Sequence, residues 1–173
     1  MTLQRADKPK STVSAGSAPS RSGGSRPDDE ALALEDFLPY RLARAAEMVS
    51  KQFAAHYRDQ YGLTRPEWRT LATVGQFGRI TATDIGRHSS MHKTKVSRAV
   101  RALEQRNWVS RAPDPVDRRI EHISLTREGS RHYRDLVRIA RDYEFGLLQM
   151  LGETGAKHLQ AGLGAIEREL PGY

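Results

Sequence analysis

Apolar side chains recur along this chain with two different periods, and the changes of period divide it into elements. Leu38, Leu42, Ala45, Val49, Phe53 and Tyr57 follow one another at steps of three and four, the spacing of one face of a helix of about six turns. Thr64-Arg65-Pro66-Glu67 then has the spacing of a capping box, with proline in the first turn where its missing N–H costs nothing. It predicts a second helix from Glu67 to about Gln76, ended near Gly75 and Gly78. Thr81-Ala82-Thr83-Asp84 repeats the spacing and opens a short third helix through about His88. Ser89 and Ser90 interrupt it and offer an N-cap for a fourth helix, from about His92 to Arg106.

After Asn107, which tolerates the left-handed conformation at a helix end, the period shortens to two. Trp108 to Ala112 and Ile120 to Leu125 flank Pro113-Asp114-Pro115, a pattern that reads as a β-hairpin with Asp117, Arg118 and Arg119 at its tip. Thr126 caps a helix from Arg127 to about Met150, and a last helix covers about Glu153 to Leu170. The expected order is α-α-α-α-β-β-α-α, mainly α with a small β-hairpin, and without an internal repeat.

The fourth helix has two unlike sides. At 100° per residue, Val96, Ala99, Val100 and Leu103 share one side, which is core. Thr94, Arg98, Arg101 and Gln105 fall opposite, with Lys95 and Ser97 at the flanks. Residues 86–111 hold seven basic side chains against the single carboxylate of Glu104. Most of the net charge of +7 on the 173 residues is therefore local, and a basic balance of this kind favours a polyanionic partner. A basic helix face alone is more often a solvated surface. Here the one-sided helix, the turn before it and the hairpin arginines coincide, which points to double-stranded DNA: the helix suits the major groove, and an extended hairpin bearing Arg suits the narrower minor groove alongside.

Other chemistry is excluded or weak. With no Cys there are no disulfides, thiolate metal sites, Cys nucleophiles or cysteine redox sensors. The nucleophile-elbow, P-loop, zinc-protease and complete dinucleotide-binding motifs are missing, so no catalytic residue and no cofactor is expected. His88 and His92 stand four apart, but the break between them does not hold the rings on one face, so no metal site is expected either. No apolar run reaches the length of a membrane span and the N-terminus lacks a secretory apolar core; no membrane is expected, and the cytoplasm is the expected address. Residues 1–29 contain no Phe, Tyr or Trp and are expected to form a disordered tail.

Ile85 to Leu125 resembles the multiple-antibiotic-resistance regulator (MarR) family. The segments that carry the likeness are Lys95-Val96-Ser97-Arg98-Ala99-Val100-Arg101-Ala102-Leu103-Glu104, Trp108-Val109-Ser110-Arg111, and Asp117-Arg118-Arg119 followed by Leu125-Thr126-Arg127-Glu128-Gly129. The last matches that family's wing signature. Asn107 stands where the family usually has Gly.

The resemblance implies a winged helix-turn-helix (residues 63–126) between long N- and C-terminal dimerisation helices (30–62 and 127–173), and a homodimer on a pseudo-palindromic operator. It places Thr94, Lys95, Ser97 and Arg98 at recognition positions, beside Lys93 and Arg101 on the same basic helix. Ser89 and Ser90 fall at the turn before it, where they would meet phosphate, and Arg119 falls at the wing tip. Asp117 would orient Arg119, and Arg118 would meet phosphate or solvent. An effector cleft between the dimerisation helices and the winged lobe would draw on Tyr40, Arg44, Met48, Phe53, Tyr57, Trp68 and Arg69, aromatics beside arginines that suit an aromatic acid or a CoA thioester. Phe53 and Trp68 have an alternative reading as plain core. A dimeric repressor released by a small ligand is thus the leading expectation. The alternative is a DNA-architectural or protein-interaction winged helix without a ligand response.

Overall fold

The computed structural model describes residues 32–170; the expected tail, residues 1–29, lies outside them. The chain divides into two compact units between Arg41 and Leu42. In the first, the amides of Asp36 and Phe37 bond to the Ala33 carbonyl at 3.1 and 3.2 Å, a turn that leads into helix α1 (Leu38–Tyr61). The second unit carries the remainder of α1, then α2 (Arg65–Phe77), β1 (Arg79–Thr81), α3 (Ala82–Ser89), α4 (Lys93–Gln105), β2 (Val109–Pro113), β3 (Glu121–Leu125) and α5 (Arg127–Glu169). This is the mainly helical fold with a small antiparallel sheet that the periodicity predicts, and the winged helix-turn-helix architecture that the resemblance implies.

α2, α3 and α5 start where the local sequence can cap them. Thr64 Oγ accepts from the Glu67 amide while the Glu67 carboxylate accepts from the Thr64 amide at 2.8 Å, so the capping box of α2 closes from both sides. Thr81 Oγ accepts from the Asp84 amide and Thr126 Oγ from the Gly129 amide, at 3.2 and 2.9 Å. α5 breaks at Gly152, whose backbone (φ 68°, ψ 167°) is non-helical, so the long C-terminal stretch is two helical segments, as the spacing predicts.

Two local expectations are corrected. Ser89 and Ser90 do not cap α4. Ser89 is the last residue of α3, its hydroxyl donating to the Ile85 carbonyl, and Ser90 closes that helix in the left-handed conformation (φ 52°, ψ 42°). The N-cap of α4 is His92, whose Nδ1 accepts from the Thr94 amide at 3.4 Å. Secondly, the hairpin is part of a three-stranded sheet of order β1-β3-β2, with Ile80 opposite Ile123 and Arg111 opposite Ile123 on the other edge. β1 has only three residues, too few for alternation to show. The apolar row of α1 is only partly covered within one chain. Ala54 and Tyr57 are buried and Phe53 half-buried, whereas Leu38 and Val49 are exposed.

Leu71, Val74, Ile85, Val96, Val100, Leu103, Ile123 and Leu136 form the core of the lobe, all essentially without solvent exposure. Two glycines set how closely α5 approaches it. A Cβ on Gly129 would overlap the Trp108 carbonyl, which accepts from the Thr126 amide at 3.0 Å, and one on Gly75 would overlap the ring of Tyr133. Gly129 of the wing signature is therefore a packing requirement where the strand hands over to α5.

Candidate nucleic-acid interface

α4 is positioned by its apolar side. Val96, Ala99, Val100 and Leu103 are buried against the lobe, so Lys93, Thr94, Lys95, Ser97, Arg98 and Arg101 are all turned out and exposed. Among the described residues none of these six side chains makes a hydrogen bond or an ion pair. The other basic residues of the segment have structural partners, which sequence counting could not show. Arg87 pairs with Asp84 at 2.6 Å. Arg106 donates to the carbonyls of Tyr61 and Gly62 at 2.8 and 2.9 Å and lies over the Trp108 ring. Arg111 bridges Glu104 at 3.0 Å and Glu121 at 3.3 Å. The positive charge left available is thereby concentrated on the outer face of α4.

The wing is braced from inside. Asp114 accepts from the amides of Val116 (2.9 Å) and Asp117 (3.2 Å), and its Oδ2 lies 2.8 Å from His122 Nε2. Those amide bonds, with His122, hold its carboxyl down to about 2. Asp117 receives Arg119 in a bidentate fork, Nε at 3.0 Å and Nη2 at 2.9 Å, and also accepts the Arg119 amide. That fork, before the amide bond, lowers the Asp117 pKa. The Arg119 side chain is 90 % exposed and so is presented outward from a fixed base. Arg118 is exposed without a partner among the described residues, and Val116 at the tip is 93 % exposed. Asp114 and Val116 were not singled out from the sequence. The Pro-Asp-Pro run that marked the turn was the available signal for Asp114.

The turn between α3 and α4 is tied to α2, since Arg69 Nη1 donates to the Ser89 carbonyl at 3.3 Å. Ser90 is exposed there; Ser89 is half-buried with its hydroxyl committed to Ile85.

The residues expected to line an effector cleft separate into two groups. Phe53, Tyr57 and Trp68 pack on one another, with ring centroids 5.2 to 5.7 Å apart. Tyr57 is 1 % exposed and belongs to the core, with Phe53 and Trp68 half-buried against it, and burial raises the Tyr57 pKa. Tyr40, Arg44 and Met48 are exposed on α1. An open cavity of about 490 Å³ lies further along α1, lined by Gln52 and His56 together with Ile139, Asp142, Tyr143, Gly146, Leu147 and Met150 of α5. Tyr143 joins this cavity to the aromatic trio: its ring is 5.2 Å from Phe53 and its hydroxyl donates to the Val49 carbonyl at 3.0 Å.

This architecture has known relatives. The MarR family pattern matches residues 63–120, the stretch from the end of α1 through the wing. The HTH-type transcriptional regulator PecS of Dickeya dadantii is 30 % identical over 132 residues, covering 75 % of this chain and 79 % of that one. The chain belongs to the MarR family.

The MarR family transcriptional regulator SPO1453 of Silicibacter pomeroyi DSS-3 is 32 % identical, with a TM-score of 0.70 over 79 % of this chain and 96 % of that one. MepR of S. aureus, solved in complex with DNA, is 26 % identical with a TM-score of 0.66, over 78 % and 100 %. NadR, solved with 4-hydroxyphenylacetate, shares the fold at 20 % identity and a TM-score of 0.63, over 75 % and 91 %. This MarR-family chain is therefore a transcriptional regulator with a DNA-binding winged helix. Among the described residues no helix is long and apolar enough to cross a membrane, and no group of His, Asp or Glu could hold a metal.

Proposed function

We propose that the chain is a homodimeric repressor that reads a pseudo-palindromic operator with α4 and the wing, and that a small aromatic acid or an aromatic or acyl-CoA thioester releases it. The observation that carries the reading is the unpaired outer face of α4 beside a wing whose Arg119 is already forked onto Asp117. Arg98, directly opposite the buried side of α4, reads a base edge. Lys93, Lys95 and Arg101 meet phosphates, Thr94 and Ser97 make polar contacts in the groove, and Ser90, with Ser89 behind it, faces the backbone. Arg119 enters the minor groove and Arg118 meets phosphate.

Residues 30–62 and 127–173 supply the dimer surface and 63–126 the reading lobe. Exposed Val49 on α1 and Leu159, Leu163 and Ile166 on α5 are apolar surface that a second chain would remove from water at roughly 25 cal/mol per Å². The effector enters the α1–α5 cavity, whose size is that of a small-ligand pocket, rather than the packed trio of Phe53, Tyr57 and Trp68. From there Tyr143, Phe53 and Trp68 touch in turn, and Trp68 shares α2 with Arg69, which holds the Ser89 carbonyl. NadR, the neighbour holding 4-hydroxyphenylacetate, supports an aromatic acid as the class.

Selection of duplexes from a random pool, followed by titration at fixed salt, tests this reading. A repressor prefers its site by about 10³ or more; equal binding to all duplexes would instead make the chain an architectural winged helix. Release must also be reciprocal, so an aromatic acid that lowers operator affinity by some factor has its own affinity lowered by operator to the same extent.

A further inference from the structure

The operator reading leaves one strongly charged surface unused. Arg127, Arg131, Arg134, Arg138 and Arg141 follow one another along α5 at steps of four and three, and all five are exposed. At 100° per residue they fall within an arc of about 80°, directly opposite Leu136 and Gly129, the two buried residues of that helix. Two of the five are neutralised within the helix, Arg131 by Glu128 and Arg138 by Asp135. The other three, Arg127, Arg134 and Arg141, have no partner among the described residues and stand seven residues apart.

We infer that this face of α5 docks a helix of a partner protein that carries a carboxylate at every seventh residue. Two features select a helix over a second DNA duplex. The unpaired row is about 21 Å long and nearly straight; over that distance a B-form strand advances about six of its 10.5 base pairs per turn and winds to the far side. The row drifts by about 20° per heptad, the offset that left-handed supercoiling of two helices absorbs.

The side chains themselves suit protein contact. Every basic residue of the row is Arg, which receives a carboxylate bidentately. Phe145, 65 % exposed, stands in line one turn beyond Arg141, giving the Arg and aromatic composition of an interface centre.

The test uses the full-length protein and a labelled synthetic helix of about 21 residues with Glu at every seventh position, followed by anisotropy at about 50 mM salt. A peptide of the same composition with its Glu residues adjacent is the control. The seven-residue peptide is expected to bind about tenfold tighter than the control, the sum of three exposed pairs. The combined variant Arg127→Gln, Arg134→Gln, Arg141→Gln abolishes that difference, with helix content kept. Arg131→Gln with Arg138→Gln retains the difference. Equal binding of the two peptides overturns the inference, as does a triple variant that keeps the preference or a double variant that loses it. Displacement of the peptide by non-operator duplex through the same three arginines would also overturn it and make the row a DNA surface.

Discussion

Replacing Arg98 and Lys95 separately by Ala should give losses that differ in kind. The two positions are three residues apart on α4, about 4.5 Å along the axis and 60° around it. Relative to buried Val96, Arg98 points about 200° away and Lys95 about 100° to one side, so only Arg98 is aimed down the centre of a groove. A guanidinium forked onto a base edge carries about 1–3 kcal/mol of discrimination, a factor of about 5 to 150 at one operator position. An ammonium at the flank neutralises one phosphate. Its loss should weaken every sequence alike and reduce the slope of log K against log salt by about one. Neither side chain has a partner to orphan and both are exposed, so stability should move by no more than about 0.5 kcal/mol. The assay is anisotropy on the selected operator and its single-base variants at several salt concentrations, with thermal melts as control. If the two variants lose discrimination equally, or if Arg98→Ala only lowers the salt slope, the orientation derived from the buried side of α4 is wrong.

At the wing, Arg119→Ala should weaken operator binding with circular dichroism and dimer content unchanged, and Asp117→Ala should copy it in part; tighter binding by Asp117→Ala would show that the carboxylate only repels phosphate. Asp114 has its folded pKa depressed to about 2, so its support of the wing is complete above the ordinary carboxylate range, about pH 4, and is lost as pH falls from there through about 2. Carbon-detected titration of its carboxyl, read with the amide shifts of Val116 and Asp117, should show that transition; a midpoint near 4 would mean that the amide bonds are not formed in solution. Gly129→Ala must separate the start of α5 from the Trp108 carbonyl and should cost about 3 kcal/mol. Gly162→Ala, with open space around its site, should instead gain about 0.5–1 kcal/mol; comparable losses in the two melts would contradict the close approach.

What could be read in advance depended on how local the cause was. The caps at Thr64, Thr81 and Thr126 and the two sides of α4 are set within a few residues, and all are found in the structure. Ser89 and Ser90 misled because serine suits both ends of a short helix, and here the left-handed Ser90 ends α3 while His92, a rarer cap, begins α4. β1 was missed because only pairing with β3, more than forty residues away, makes a strand of Arg79–Thr81. At the candidate interface the Asp117–Arg119 fork was legible through the resemblance of the wing segment, and its partners are two residues apart. The roles of Arg106 and Arg111 were not, since carbonyls at Tyr61 and Gly62 and a carboxylate on another strand turn apparent surface charge into braces. The mutual packing of the aromatic trio was harder to read for a similar reason: Phe53 and Tyr57 are one turn apart, but Trp68 reaches them only when α2 folds back on α1.

Gly152 carries a further consequence for how this protein would tell itself from its kin. Its φ of 68° with ψ of 167° is a conformation essentially reserved for glycine, and the apolar row of Leu159, Leu163 and Ile166 begins only after it. Two torsions at one residue thus aim the whole terminal row. In a cell holding several chains of this fold, similar leucines would not be enough for two of them to pair; the bend would have to match as well. If the row pairs with a second chain as proposed, fidelity of assembly would diverge after a gene duplication through a single codon at the joint, while the apolar row and the DNA-reading lobe stay unchanged.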